Sequence, residues 1–135
     1  PARLQRGDTI GVVSPSSPVG MEELDKAVNY LKNLEFNINL GTNVFGRRGY
    51  FSGTDEERIA DLYRLFTDTS VKAVICSRGG YGASRILDSI DFGLIKRNPK
   101  IFVGYSDITA LELVWLHFMA RCLPRSPMGR LIYHQ

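Results

Sequence analysis

The central stretch of the chain reads VKAVICSRGGYG, residues 71–82. Its first half is almost continuously apolar and rich in β-branched residues, which is typical of a strand buried on both faces of a parallel sheet. Its second half is a glycine-rich turn of the kind that leads from a strand into a helix. Because parallel strands are joined by crossover helices, this stretch predicts an α/β protein.

The same pattern of strand, turn and helix extends to both sides of this stretch. Short apolar runs predict three further strands, at residues 9–14, 36–40 and 100–104. Apolar residues at helical spacing predict four helices, at residues 21–34, 54–66, 82–90 and 107–120. Their strict alternation predicts a three-layer, doubly wound and mostly parallel sheet with right-handed crossovers.

Three of the predicted helices carry further signals. The first has one apolar face, made of Met21, Leu24, Ala27, Val28, Leu31 and Leu34. The second begins with a capping-box pattern formed by Thr54 and Glu57. The last helix is apolar nearly all round, so we expect another surface to cover it and expect self-association where nothing does.

Composition and charge exclude several classes of protein. The 135 residues suffice for one compact domain, and a net charge of +3 from scattered basic residues does not predict nucleic-acid binding. No apolar stretch is long enough to span a bilayer, so we expect no membrane partner. The first residues do not have the pattern of a signal peptide, and we therefore expect a cytoplasmic protein.

The strongest candidate for chemistry is Ser106, in the sequence GYSD at residues 104–107. A serine in a tight turn between strand and helix is exposed at the edge of the sheet, where helix N–H groups can stabilise an attacked carbonyl. Gly104 would allow the tight turn, although Ile108 replaces the last glycine of the G-x-S-x-G pattern. Serine is also the commonest helix N-cap, and the residues alone leave both roles open.

Two other turns are predicted at the same edge of the sheet. In the turn at 77–82, Gly79 and Gly80 would bring backbone amides close to an anion or oxyanion, or would simply make a tight turn. Arg78 would bind a substrate carboxylate or pair with a structural acid. The turn at 14–17 would add polar groups to this edge or cap the helix that follows.

The cysteines and histidines do not predict a metal site or a disulfide. Cys76 and Cys122 lack the paired spacing of a zinc site, and Cys76 is expected to be a small buried hydrophobe. His117 would lie roughly 16 Å along the last helix from Ser106, too far to serve as its base. His134 is next to the end of the sequence, and its position is not predicted.

Several blocks, in order, resemble the LD-carboxypeptidase family of serine peptidases. They are Gly7-Asp8, Ser14-Pro15-Ser16, and the longer blocks at residues 53–58, 77–82 and 98–111. The last of these, NPKIFVGYSDITAL, is the most specific. The resemblance runs from about Leu4 to about Ala120, and it identifies residues 1–120 as an amino-terminal, nucleophile-bearing domain followed by a divergent tail at 121–135.

The resemblance implies roles for individual residues. Ser106 would be the nucleophile of a Ser-Glu-His triad, and the backbone N–H groups of Asp107, Gly79 and Gly80 would form the oxyanion hole. We expect Arg78 and Tyr105, which adjoin these groups, to bind the substrate. The family's Glu and His belong to a carboxy-terminal domain that this chain would lack, so the chain is expected to be inactive alone.

The resemblance also implies a substrate class. Members cleave an amide between an L- and a D-centre in murein peptides during cell-wall recycling, and the full-length proteins are expected to be homodimers. A second branch, the microcin C self-immunity peptidases, hydrolyses an amide in a peptide-nucleotide antibiotic. No metal or organic cofactor is implied. Two alternatives are a non-catalytic module that binds an anion at the Gly79–Gly80 turn and, less favoured, an α/β-hydrolase esterase.

Overall fold

The structure is a computed structural model that describes residues 1–120. The strands of this part are β1 (Thr9–Val13), β2 (Asn37–Leu40), β3 (Val71–Cys76) and β4 (Ile101–Val103). Its α-helices are α1 (Met21–Asn33), α2 (Asp55–Thr67), α3 (Ala83–Ile86), α4 (Phe92–Arg97) and α5 (Thr109–Ala120). All four predicted strands are present, each within one or two residues of the predicted bounds.

The four strands form one sheet in the order β2-β1-β3-β4, and every neighbouring pair is parallel. The chain leaves β1 toward β2 on one side, whereas it leaves β3 toward β4 on the other. Connections that diverge in this way open a crevice at the carboxyl ends of β1 and β3, where ligands of open α/β sheets bind. The topology therefore places the turns that follow β1, β3 and β4 at one edge.

Helices cover the sheet on both faces, and two neighbouring side chains of β1 mark the two cores. Val13 packs into a cluster with residues of α2, α3, α4 and α5. Val12 packs into a second cluster with Leu24 and Val28 of α1. Successive side chains of a strand point to opposite faces, so these clusters lie on opposite sides of the sheet. The predicted three-layer α/β fold is confirmed.

The apolar face of α1 is narrower than the sequence predicts. Leu24 and Val28 are buried, but Met21 is 64% exposed and Leu34 44% exposed. Met21 lies in the first turn and Leu34 at the C-cap, and Ala27 in the middle of the helix is exposed as well. Helical spacing therefore identified the correct face but not its width.

The chain between β3 and β4 is also divided differently from the prediction. The helix predicted at 82–90 ends at Ile86 and continues as a 3-10 turn, Leu87–Ser89. A separate helix, α4, follows and was missed. Asp91 begins it as an N-cap, since its carboxylate accepts a hydrogen bond of 2.8 Å from the Gly93 amide. An aspartate before a short apolar run is an N-cap signal that could have revealed this helix.

Two residue-level predictions are confirmed. The capping box of α2 is present, with Thr54 and Glu57 each accepting from the other's backbone amide. Cys76 is buried, and desolvation raises the pKa of its thiol, so it stays a neutral packing residue. Cys122 and His134 lie outside the described residues.

The helix α5 presents apolar side chains on two sides, as its sequence predicts. On the inner side Leu111 is buried, and the Trp115 ring lies 4.6 Å from the rings of Phe66 and Phe102. On the outer side Leu113 is 62% exposed and Leu116 64% exposed. No helix among residues 1–120 combines the length and the hydropathy needed to span a membrane.

We expect the outer face of α5 to cause concentration-dependent self-association of the chain, because contiguous exposed apolar surface drives association. The double variant Leu113→Lys plus Leu116→Glu should weaken it, as measured by sedimentation velocity over a concentration series. Met21→Lys plus Tyr30→Glu is the matched control, since it changes two α1 residues of similar exposure, 64% and 65%. A wild-type chain that stays monomeric throughout the series would contradict this prediction.

Candidate active site

Ser106 occupies a strained backbone position in the turn that follows β4. Its φ angle is 58°, in the left-handed region that residues with a side chain rarely adopt, and the residue is exposed at the carboxyl edge of the sheet. A 3-10 turn, Ser106–Ile108, then leads into α5 at Thr109, so the α-helix begins two residues later than predicted. Strain of this kind is typical of a nucleophile held on a sharp strand-to-helix turn.

The other role considered for Ser106, the helix N-cap, does not fit this geometry. An N-cap serine has extended backbone angles and accepts a hydrogen bond from an amide of the first turn. Here the extended N-cap residue is Tyr105, and no side chain caps the turn. The Ser106 hydroxyl makes no hydrogen bond within residues 1–120, so it remains available for reaction.

Gly104 and Ile108 together explain how the turn closes without the last glycine of the G-x-S-x-G pattern. A Cβ atom on Gly104 would lie 2.2 Å from Cγ2 of Ile108, which is closer than two carbons can approach. Ile108 is fully buried, and its side chain fills the space beside Gly104. The first glycine is therefore required by packing, while the isoleucine anchors the turn in the core.

The turn after β3 lies against Ser106. A Cβ on Gly79 would be 2.9 Å from the Cβ of Ser106 and 3.0 Å from the Tyr105 carbonyl oxygen, so only glycine fits there. Within the described residues, the N–H groups of Gly79, Gly80 and Asp107 have no hydrogen-bond acceptor. These are the three amides that the family resemblance assigns to an oxyanion hole. The structure places Gly79 against Ser106, with Gly80 and Asp107 next to these two residues in the chain.

The Asp107 carboxylate accepts the amide at the start of α3. The Ala83 amide donates to Oδ2 of Asp107 at 2.8 Å, and the Ser16 hydroxyl donates to the same oxygen at 2.6 Å. The positive end of this short helix is thus already paired with a carboxylate of the chain itself. The contact does not involve the Gly79 and Gly80 amides, which have no acceptor within residues 1–120, so the alternative of an anion site at that turn stays open.

The serines that follow β1 do not cap α1. The N-cap of that helix is Gly20, with no side-chain hydrogen bond. Ser14 instead donates to the Val44 carbonyl at 2.8 Å and lies 2.7 Å from the Ser77 hydroxyl. The Ser17 hydroxyl accepts the Tyr81 amide at 3.0 Å. The capping interpretation of this turn is wrong, and the turn instead contributes polar groups to the candidate site.

Arg78 and Tyr105 directly precede Gly79 and Ser106 in the chain. Both are exposed, and they line a pocket of about 350 Å³ together with Glu23 of α1 and Ile75 of β3. Arg78 makes no ion pair within residues 1–120; its nearest acceptor is the Pro18 carbonyl, at 3.5 Å. The expectation that Arg78 pairs with a structural acid is therefore not met in the described chain, and its guanidinium is free to bind a carboxylate.

Known proteins match this chain over most of its length. Residues 10–121 match the model of the LD-carboxypeptidase N-terminal domain. The chain belongs to the LD-carboxypeptidase family. It is 49% identical over 112 residues to the probable murein peptide carboxypeptidase of Bacillus subtilis, an alignment that covers 83% of this chain. It is 33% identical over 113 residues, 82% of its length, to the microcin C7 self-immunity protein MccF of Escherichia coli.

Solved structures of family members have the same fold. The MccF-like protein from Bacillus anthracis superposes with a TM-score of 0.85 at 36% sequence identity, covering 89% of this chain and 37% of that one. The chain spans 35% of the Bacillus subtilis relative and 33% of MccF. The family assignment made from the sequence is confirmed, and it concerns the amino-terminal part of these longer proteins.

No general base for Ser106 lies among the described residues of this LD-carboxypeptidase domain. His117 is exposed on α5, where its ring meets that of Phe118 edge-on with 6.0 Å between centroids, and it makes no hydrogen bond to Ser106. Residues 1–120 also hold no group of three or more His, Cys, Asp or Glu side chains that could bind a metal. Among residues 1–120 the site therefore offers one candidate nucleophile, Ser106, and amides without an acceptor.

One buried residue that positions the site was not predicted. Arg58 of α2 is only 2% exposed, and its guanidinium donates to the carbonyls of Pro15, at 2.7 Å, and Gly82, at 2.8 Å. It also pairs with Asp55. The signal was its spacing, because Arg58 lies four residues before Leu62 and therefore shares the buried face of α2.

Asp55 connects this buried arginine to the surface. Its carboxylate accepts hydrogen bonds from Arg85 and Arg58. These hydrogen bonds, first that of Arg85 and then that of Arg58, hold the pKa of the Asp55 carboxyl below its usual value. Asp55 is therefore ionised at neutral pH, where its charge neutralises the buried guanidinium.

Proposed function

We propose that this chain is the nucleophile-bearing domain of a serine carboxypeptidase that cleaves an amide at an L–D junction of murein peptides. The observation that carries the proposal is Ser106 at φ 58°, exposed and in contact with the Gly79 turn. A serine held in this way can attack a carbonyl, and the uncommitted amides of Gly79, Gly80 and Asp107 can stabilise the resulting oxyanion. Relatives named murein peptide carboxypeptidases support the substrate class.

The proposed roles of the remaining residues follow from their charge and position. Arg78 would bind the carboxylate at the end of the peptide, because its guanidinium is exposed and has no acidic partner in the described chain. Tyr105, which is 62% exposed, would contact the substrate beside it. The base that removes the Ser106 proton would come from the carboxy-terminal part that longer family members carry.

We further propose that the parent protein works in the cytoplasm, where recycled murein peptides would be its substrates, and that it forms a homodimer. The uncovered apolar face of α5, with Leu113 and Leu116, is surface that further protein would bury. A peptide-nucleotide substrate is the second candidate. It is supported by the likeness to MccF, which has been solved in complex with aspartyl sulfamoyl adenosine.

The experiment compares the 135-residue chain with a chimera that joins residues 1–120 to the carboxy-terminal part of the Bacillus subtilis relative. Release of D-alanine from a murein tetrapeptide is followed for both, with aspartyl sulfamoyl adenosine as a second substrate. We expect negligible turnover by the chain alone, because no hydrogen-bonded base for Ser106 lies among residues 1–120, and turnover of the tetrapeptide by the chimera. Turnover by the chain alone, or a folded chimera inactive on both substrates, would overturn the proposal.

A further inference from the structure

We propose that the Asp107 carboxylate and the hydroxyls of Ser16 and Ser17 form a clamp that positions the Gly79–Gly80 amides against Ser106. The clamp joins the turns after β1, β3 and β4. Its three polar groups are hydrogen-bonded to the chain itself, so they would act as positioning residues for the oxyanion hole. The inference rests on the proposed function for its catalytic consequence, but the clamp is defined by contacts within the chain.

The first half of the clamp is the Asp107 carboxylate. One of its oxygens, Oδ2, accepts from the Ser16 hydroxyl at 2.6 Å and from the Ala83 amide at 2.8 Å. Ser16 is completely buried, which leaves its hydroxyl no exchange with solvent. Hydrogen bonds to an ionised carboxylate are roughly twice as strong as neutral ones. The residue next to the nucleophile is therefore tied to both neighbouring turns.

The second half of the clamp is the Ser17 hydroxyl. It accepts the Tyr81 amide at 3.0 Å, one residue beyond the proposed oxyanion amides. A Cβ on Gly80 would lie 2.1 Å from this hydroxyl, and Gly80 has a φ of 121°. The turn is thus pressed directly onto Ser17 in a conformation that favours glycine. Ser17 holds the turn from one side while Asp107 holds it from the other.

The bonding pattern separates the amides of this region into two kinds. The Tyr81 and Ala83 amides hold the clamp, whereas the Gly79 and Gly80 amides have no acceptor within residues 1–120. An oxyanion hole needs N–H groups that are rigidly held yet unpaired in the resting state. Alternate use of neighbouring amides meets both needs, because the paired amides hold the unpaired ones in place.

The first test is nuclear magnetic resonance of the 135-residue chain, which needs no catalysis. In Asp107→Ala we expect the amide signals of Gly79, Gly80 and Ser106 to shift and their hydrogen exchange to accelerate. Asp107→Asn keeps an acceptor oxygen and should restore most of the wild-type pattern. Asp88→Asn, an exposed carboxylate in the turn after α3, is the matched control and should leave all three signals unchanged.

The second test uses the chimera with the Bacillus subtilis carboxy-terminal part. Displacing an oriented group by about 1 Å costs on the order of 10²-fold in rate. We therefore expect Asp107→Ala to lower kcat about 10²-fold with KM changed less than about threefold, and Asp107→Asn to recover most of that loss. Ser16→Ala should act in the same direction, and it replaces Asp107→Ala if that variant does not fold.

The two tests separate failure of this inference from failure of the proposed function. If Asp107→Ala and Ser16→Ala lower stability but leave the Gly79 and Gly80 signals in place, the clamp does not position these amides and the inference is wrong. An equal loss of kcat in Asp107→Ala and Asp107→Asn would also overturn the inference. If the wild-type chimera is inactive, the proposed function fails, and the amide signals of the isolated chain still decide the inference.

Discussion

Replacing Ser106 with glycine is expected to make the chain slightly more stable and, in the chimera, to abolish catalysis. A residue with a side chain pays about 1–2 kcal/mol to hold a left-handed conformation, and Ser106 is held there at φ 58°. Glycine adopts this conformation freely. It also raises the conformational entropy of the unfolded chain, which offsets part of the stabilisation. We expect a net stabilisation of up to about 1 kcal/mol, measured by denaturant unfolding of the chain.

Ser106→Ala is the companion variant, because it removes the hydroxyl but keeps the backbone strain. Its stability should stay within about 0.5 kcal/mol of wild type. An N-cap serine would behave in the opposite way, with alanine costing about 1 kcal/mol and glycine giving no gain. If the alanine variant is destabilised and the glycine variant has wild-type stability, Ser106 acts as a helix cap.

The catalytic effect is measured in the chimera, where the base would be present. Loss of a serine nucleophile lowers kcat by about 10⁴-fold to 10⁶-fold in serine proteases, and we expect both Ser106 variants to fall in that range. Ser84→Ala is the matched control, since Ser84 is an exposed serine in α3. Residual kcat above about one hundredth of wild type in Ser106→Ala would mean that another group performs the attack.

The fold was predictable from the sequence because its signals are local and repeated. An almost continuous apolar run such as 71–76 can be recognised as a buried strand without any knowledge of its neighbours. The capping box likewise depends only on Thr54 and Glu57, which are three positions apart in the sequence. The helix α4 was missed because its six residues are too few to show helical periodicity, leaving only the cap at Asp91.

The candidate site was only half predictable, because its geometry depends on contacts that are distant in sequence. Ser106 was identified by the motif and the family, but its φ of 58° has no signature in a serine. The hydrogen bond between Ser16 and Asp107 joins residues 91 positions apart, which no spacing rule can anticipate. Local rules therefore explain Ser16 as a cap, whereas the fold uses it to hold two turns together.

The second large effect is expected at Arg58, the buried arginine of α2. The variant Arg58→Met keeps an apolar chain of similar length but removes the donors to the Pro15 and Gly82 carbonyls. It also leaves Asp55 without its buried partner. Breaking a buried charged network in this way typically costs about 3–5 kcal/mol, because the remaining polar groups stay unpaired. We expect a loss of that size in denaturant unfolding.

Arg64→Met is the matched control, since it makes the same substitution on the same helix. Arg64 donates to the Leu40 carbonyl at 2.6 Å but is exposed, so water can replace it and the cost should stay below about 1 kcal/mol. Arg58→Lys should fall between the two. A lysine retains the charge but cannot reach Pro15, Gly82 and Asp55 with the fixed geometry of a guanidinium.

The stability lost in Arg58→Met has two parts, the ion pair with Asp55 and the hydrogen bonds to the Pro15 and Gly82 carbonyls, and their pH dependence distinguishes them. The pKa of Asp55 is lowered in the folded chain, so the ion pairs contribute stability above the unfolded value of 3.8, and that contribution is lost as the pH falls through the folded pKa. The carbonyls of Pro15 and Gly82 do not titrate. We therefore expect the difference in the free energy of unfolding between wild type and Arg58→Met to become smaller below pH 3.8 but to stay above zero.

The same variant connects stability to the candidate site. Arg58 holds the carbonyls on either side of the clamp, since Pro15 precedes Ser16 and Gly82 precedes Ala83. Arg58→Met should therefore shift the Gly79 and Gly80 amide signals at temperatures where the chain is still folded, whereas Arg64→Met should not. If the two variants lose equal stability and leave the signals alone, then Arg58 is an ordinary helix residue and the turns of the site are held by the serines and Asp107 alone.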